Sequence, residues 1–413
     1  MMFSKNIRMT DRDDRVALQD IKSQKGFLLV TRERYNTLCN NMLHFHDEEA
    51  PNDELLDKLI ENEWVLEEQS SPCEHGYLGQ IHNLHIEPTM NCNLNCKYCL
   101  RDSQNGGSAK ILFADFEDHV IPFINMVNAS HIGFIGGEPT VHPDFDKMLY
   151  LTLSMTNCRM ITVYSNGIHL NSRIIDLITD SQSRTRIQIS IDGYQRETND
   201  AIRGEGTYDK IMSTLDMLYH YRLRNIQLKM TITPYNANEY PMLYKFAKDR
   251  NWRITISMFS KLGRGNSSSF SYTTMNKVLA ETMVEFFENP TGFDLDYHTR
   301  SPNYFSVYPC GLSSKGSAVI DSECNLLDCM KIRRIAGDIR RNPQKALQKY
   351  YRFFFPTVDT IPGCSTCDLR YLCAGGCRGL AYDYSGHIVG NQPYCSLCKV
   401  IYGNLLWQGK GAR

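Results

Sequence analysis

The chain has 413 residues, 42% of them hydrophobic and 11% aromatic, enough for more than one buried core. Lys plus Arg number 45 and Asp plus Glu 46, so net charge exerts no general pull toward nucleic acid or an anionic membrane. No apolar stretch approaches the ~20 residues of a membrane-spanning helix, and the start, MMFSKNIRMTDRDDR, lacks an apolar signal core; the expectation is a cytoplasmic protein.

Residues 1–80 contain FLLVTRERYNTLCNN and DELLDKLIENEWVLEEQ. These predict a short strand near Phe27–Val30, a helix from about Arg32, a helix near Asp53–Glu61 and a strand at Trp64–Glu67, which suits a small winged-helix-like module. QSSPCEHGYLGQ then reads as a linker.

Residues 82–260 alternate strand and helix. The strand-like runs are LHIEP, HIGFIG, RMITVYS, RIQISID, IQLKMTIT and RITISMF. Helical stretches such as ADFEDHVIPFINMVNA and TYDKIMSTLDMLYHY separate them. Six β/α units imply an α/β fold with a parallel sheet covered by helices. Periodicity does not separate a six-strand partial barrel from a doubly wound open sheet. In either, ligands gather at the C-terminal ends of the strands. Cys92, Cys96 and Cys99 follow the first strand, GGEP (Gly136–Pro139) the second, SNG the third and DG the fourth.

Residues 300–405 are Gly- and Cys-rich with little regular pattern, as expected of a segment that needs metal to hold it. The basic run KIRRIAGDIRRNPQK (Lys331–Lys345) reads as a solvated helix face or, second, a docking patch for an acidic partner. In a reducing compartment the 15 cysteines are thiols available to metal.

The stretch MNCNLNCKYC places three of them at C-x3-C-x2-C spacing. A closed zinc or iron–sulfur site takes four ligands. Either a fourth comes from elsewhere, such as His82 or His85 in a structural zinc loop, or one iron of a [4Fe–4S] cube is left open for a small molecule.

This motif, with the aromatic Tyr98 before its last cysteine, resembles that of the radical S-adenosylmethionine enzymes. FIGGEPTVHPDF (Phe134–Phe145) resembles their GGEP element. YSNG (Tyr164–Gly167) and QISIDG (Gln188–Gly193) resemble strand ends that contact the ribose and carboxylate. KLGRGN (Lys261–Asn266) resembles the loop near the adenine. The resemblance covers about residues 82–265 and implies a partial (β/α)6 TIM-like barrel. It implies that Cys92, Cys96 and Cys99 hold a [4Fe–4S] cluster whose open iron is chelated by S-adenosylmethionine. One electron from an external reductant then releases a 5′-deoxyadenosyl radical that takes a hydrogen from an unreactive carbon. Contacts to S-adenosylmethionine are implied for Tyr98, Gly136, Gly137, Glu138, Pro139, Ser165, Asn166, Ser190 and Asp192. ETNDAIRGEGTYDKI (Glu197–Ile211) resembles the peptide-modifying branch, with Arg203 either on the cofactor carboxylate or in a structural ion pair.

CSTCDLRYLCAGGC, with Cys310 and Cys329 upstream and Cys395 downstream, resembles the SPASM extension of these enzymes, which holds two auxiliary clusters. The resemblance assigns Cys364, Cys367, Cys373 and Cys395 to an outer cluster and Cys310, Cys329 and Cys377 to an inner one. Zinc at either site is the alternative. Where relatives carry Gly five positions before the second ligand, this chain has Cys324, so either Cys324 is the fourth inner ligand or one inner iron is open. Cys398 has no assigned role.

The expected organisation is a winged-helix-like module over 1–80 resembling a leader-peptide recognition element, a radical S-adenosylmethionine barrel over 82–300 and a SPASM domain over 301–413. Three [4Fe–4S] clusters are implied. The expected function is a peptide maturase that oxidises or cross-links a precursor peptide through a C–C or thioether bond. A leader bound by the N-terminal module, and neither nucleic acid nor membrane as partner, complete the expectation. The alternatives are a sulfatase-maturing activity, in which an acidic residue would stand where Met330 follows Cys329, and a dehydrogenase of a small molecule. A non-catalytic iron–sulfur scaffold would need neither GGEP nor an open iron. No general base stands out.

Overall fold

The computed structural model describes residues 2–3, 7–20, 27–43, 53–62, 64–66, 81–287, 294–295 and 315–407. At the N-terminal end, β1 (Met2–Phe3) pairs with β5 (Val65–Leu66). Three strands, β2 (Ile7–Arg12), β3 (Arg15–Asp20) and β4 (Phe27–Thr31), form an antiparallel meander. Helices Arg32–Leu43 and Glu54–Glu61 follow. Asp53 caps the second helix: its Oδ1 accepts from the Leu55 and Leu56 backbone N–H groups at 3.1 and 3.2 Å. Alternation along β3 sends Val16 and Leu18 into a small core with Leu38, Leu56, Leu59 and Val65, while Ala17 joins the main core. The expected strand and two helices are present, and the Trp64–Glu67 strand appears as Val65–Leu66. The first two meander strands had no clear sequence signal, because charges flank every apolar position of IRMTDR.

Six parallel strands then lie side by side in chain order: β6 (Asn83–Ile86), β7 (His131–Phe134), β8 (Met160–Ser165), β9 (Thr185–Ser190), β10 (Ile226–Ile232) and β11 (Arg253–Met258). A doubly wound sheet reverses its order at a switch point. Here the order never reverses, as in a barrel-type sheet. The sheet stays open, because β11 pairs with β12 (Asp294–Leu295) and β6 with β13 (Ser317–Ile320) instead of with each other. The apolar runs are buried on both faces, as parallel strands under helices require. Among the covering helices, Ser172–Asp180 buries Ile174, Ile175 and Ile178, and Thr207–His220 buries Ile211, Leu215 and Leu218.

The sheet continues past β13 into β14 (Asn325–Leu327) and β15 (Ile335–Asp338), both antiparallel. The C-terminal segment is therefore more regular than its sequence suggests: strands of three or four residues suffice when they extend an existing sheet edge. Lys331–Lys345 is not a helix face. It passes through β15, and its helix begins only at Pro343. Arg333, Arg334 and Arg340 pair with Glu87, Asp328 and Asp338. Among the described residues no helix is long and apolar enough to cross a membrane.

Candidate active site at the strand ends

The cysteine loop leaves β6 and is fastened on three sides. Along one side runs the segment after β7. Gly137 N–H donates to Thr89 O and Glu138 N–H to Asn91 O, both at 2.9 Å. This approach is what the glycines permit. A Cβ on Gly137 would stand 2.2 Å from Asn91 O, and Gly136, at φ +121°, would bring one within 2.6 Å of Thr89 O. On a second side Lys97 N–H donates to Ile202 O at 2.9 Å, and the Cys96 Sγ lies 4.0 Å from Arg203 O. On the third, Arg264 donates from Nε to Cys96 O and from Nη2 to Ser103 O, both at 2.8 Å, and from Nη1 to Asp102 at 2.9 Å. Gly263, at φ +58°, lets that loop sit against the Cys99 carbonyl.

Cys92, Cys96 and Cys99 lie within one another's electrostatic reach. Burial pushes the Cys92 thiol up to about 11 and raises that of Cys96, against which Arg203 pulls down. Buried thiols of this kind become thiolates when a metal supplies the compensating charge. Among the described residues no three His, Cys, Asp or Glu side chains converge as a finished metal site. The donor set nonetheless fits an iron–sulfur loop: three half-buried thiols from one tethered segment.

The other candidates ring this loop. Glu138 is 1% exposed. Its Oε2 accepts from Asn166 N–H at 2.6 Å and its Oε1 from the Thr140 hydroxyl at 2.7 Å, so it ties the end of β7 to the end of β8. Burial raises its pKa and these donors lower it. Pro139 is buried behind it. Asn166 Nδ2 donates to Asn93 Oδ1 at 2.7 Å and lies 4.0 Å from the Cys92 sulfur. Ser165 Oγ accepts from Gly167 N–H in a strand-end turn, and Ser190 is half-buried at the end of β9. Asp192 and Arg203, both buried, form an ion pair at 2.8 Å, and Asp192 Oδ1 also accepts from Thr231 N–H at 2.7 Å. Arg203 is thus paired with Asp192 beside the cysteine loop. Tyr98 stands edge-on to Phe259, 5.2 Å between centroids.

Two features escaped the sequence reading. Arg264 lay inside the quoted KLGRGN, but nothing in that motif says its guanidinium holds the cysteine loop. The second is an ion cluster joining distant segments. Fully buried Glu87, at the end of β6, accepts from Arg101 Nη2 at 2.8 Å and Arg333 Nη1 at 3.0 Å, and Arg101 also donates to Met330 O at 3.3 Å. The cluster links the loop of Cys99 to that of Cys329. Asp328, next to Cys329, is fully buried, and its Oδ2 accepts from Arg334 Nε at 2.5 Å.

In the C-terminal segment, Cys364, Cys367, Cys373 and Cys395 are electrostatic neighbours. Consecutive left-handed residues Ala374, Gly375 and Gly376 turn the chain between Cys373 and Cys377. The fully buried Arg378 braces the turn by donating to the carbonyls of Ile388, Gly390 and Gly375. Cys329 and Cys377 are buried, and Cys310 lies outside the described residues. Cys324 occupies the β13–β14 hairpin turn at φ +61°, a left-handed conformation that favours Gly. Burial pushes its thiol up to about 12, with Arg340, Asp115, Asp338 and Asp321 as charged neighbours.

Residues 86–247 match the family model described as Radical SAM superfamily. The chain is 25% identical over 336 residues to the AdoMet-dependent heme synthase of Methanosarcina barkeri, covering 75% of this chain and 94% of that one. It is 27% identical over 325 residues to the mycofactocin maturase MftC of Mycobacterium tuberculosis, covering 75% and 81%. The structure of Streptococcus suis SuiB bound to precursor peptide SuiA superposes with a TM-score of 0.59 at 14% identity, over 96% of this chain and 99% of that one, a likeness of fold.

Proposed function

We propose that this chain, which carries a radical SAM domain and is a radical SAM enzyme, abstracts hydrogen from a precursor peptide and so oxidises or cross-links it. A radical SAM domain takes S-adenosylmethionine and a [4Fe–4S] cluster. Cys92, Cys96 and Cys99 would hold the cluster, which with S-adenosylmethionine would supply a 5′-deoxyadenosyl radical, and the C-terminal cysteines would hold auxiliary clusters able to take up an electron. The chain's own residues orient and enclose. Gly136 and Gly137 hold the cysteine loop against the end of β7. Glu138, Pro139, Ser165 and Asn166 shape the floor beside it. Ser190 and the Asp192–Arg203 pair close the β9 side, with Tyr98 toward Phe259.

The observation that carries the reading is the tethered three-thiol loop at the mouth of a parallel, sequentially ordered sheet. For the auxiliary sites we propose Cys364, Cys367, Cys373 and Cys395 as the outer set and Cys310, Cys329 and Cys377 as the inner. At the inner site either Cys324 is the fourth ligand or one inner iron is open. For residues 1–80 we propose leader recognition. The outer strands β2 and β4 of the meander offer main-chain groups to an added strand. The peptide substrate is supported by the mycofactocin maturase among the relatives and by the SuiB likeness. The heme synthase among them favours a second reading, a small-molecule substrate.

Anaerobic incubation with reductant, S-adenosylmethionine and a short Cys- or aromatic-containing peptide encoded beside this gene tests the reading by mass spectrometry. Loss of about 2 Da per event, one hydrogen leaving as deoxyadenosine and the second as a proton and an electron, is expected. Deoxyadenosine with every such peptide unchanged points to the small-molecule reading.

A further inference from the structure

The outer site contains more thiols than a cluster needs. Cys398 is 7% exposed and follows Cys395 by three residues in the first turn of the helix Cys395–Trp407. Residues at i and i+3 share a helix face. The Cys398 sulfur lies within electrostatic reach of the Cys373 thiol. It is held there by Gln392, whose Nε2 donates to it at 3.4 Å while its Oε1 accepts from Tyr394 N–H at 3.0 Å. Gln392 is itself buried, in space that Gly376 leaves open: a Cβ there would come within 2.8 Å of it. An ordinary core cysteine packs its sulfur among apolar groups. This one is aimed by an amide at a thiol that the outer site already claims.

We propose that Cys398 is a fifth thiol of the outer iron–sulfur site, able to ligate its iron in place of Cys395. The proposal rests on the outer-cluster reading above. Cys364, Cys367 and Cys373 supply three ligands, and the helix supplies the fourth from either of two positions one turn apart. The protein can then keep this cluster when one of the two thiols is lost to oxidation or alkylation.

The test is iron and sulfide content, with Mössbauer and EPR spectra, of the reconstituted full chain as wild type, C395S, C398S and the double variant C395S/C398S. C395S is expected to keep the outer cluster with an altered spectrum, and only the double variant to lose about four irons per chain. If C395S loses those irons as fully as the double variant, the proposal is overturned while the outer-cluster reading stands. If the wild type carries no iron that survives removal of Cys92, Cys96 and Cys99, the outer-cluster reading itself falls. Should C395S fail to fold, C398S decides: competing ligands make the wild-type outer signal heterogeneous, and it should collapse to one species in C398S. A superimposable signal rejects the proposal.

Discussion

The barrel sheet and the C-terminal segment use their cysteines in opposite ways. In the barrel, Cys92, Cys96 and Cys99 stand in a loop above strands whose apolar residues fill the core without them. In the C-terminal segment Cys377 and Cys398 belong to the core, with Cys364, Cys367 and Cys373 packed against it. On the proposed ligand sets, the difference teaches that metal would serve two ends in one chain. It would ride on a finished scaffold at one site and stand in for apolar mass at the other.

The largest effect that tests this contrast comes from replacing Cys92, Cys96 and Cys99 with Ala. Cleavage of S-adenosylmethionine should fall to background while the C-terminal iron and the fold persist. Chromatographic assay of deoxyadenosine beside iron analysis shows both, and retained cleavage refutes the ligand assignment. Next, chelation of iron should strip amide-exchange protection from residues 361–398 while leaving β8 to β10 protected. Equal loss in both regions would erase the distinction between them.

A third prediction concerns the joint between the regions. Glu87→Gln leaves Arg101 and Arg333 short of their counter-charge, so we expect a loss of about 3 kcal/mol, as for breaking a buried pair from one side. Urea unfolding measures it, and a change within error would show the cluster to be dispensable. Gly137→Ala comes next. Its Cβ has no room beside Asn91, so the cysteine loop must shift, at about 1–3 kcal/mol. The first cluster's iron should drop with the C-terminal iron unchanged.

A pH effect isolates the start of the barrel strands. Burial, with Arg186 nearby, lowers His131 to about 4, while its nitrogens meet Asn83 Oδ1 at 3.0 Å and the Thr162 hydroxyl at 2.8 Å. The folded state therefore binds this proton less readily than the unfolded chain. Its contribution is complete above about pH 6.5 and falls by at most about 1.4 kcal/mol per unit as pH drops toward 4. His131→Asn should flatten that slope in urea midpoints measured across this range. His82 and His142, also lowered by burial, leave a residual slope of the same sign.

Much of the barrel was legible because its strands are apolar runs bounded by turn residues, and because GGEP, SNG and DG fall where strands end. Order within the sheet was not legible, since periodicity carries no neighbour information. The C-terminal strands were hidden for a different reason. SAVI, NLL and IAGD are too short to signal alone; SAVI becomes a strand against the edge of β6, and NLL and IAGD add to it in turn. Arg264 and Glu87 were equally hidden, because their partners lie 168 and 246 residues away. At the site, spacing named the thiols, whereas the engagement of Glu138 with Asn166 and of Arg203 with Asp192 is tertiary.

The most direct test of the central claim follows a hydrogen. The peptide encoded beside this gene would be prepared with deuterium on its side-chain and α carbons. It would then be incubated anaerobically with the reconstituted enzyme, reductant and S-adenosylmethionine. Deoxyadenosine carrying one deuterium is the predicted result, because the radical formed above the cysteine loop takes its hydrogen from the peptide. Abundant deoxyadenosine without deuterium, from a peptide that is nonetheless modified, would contradict the account.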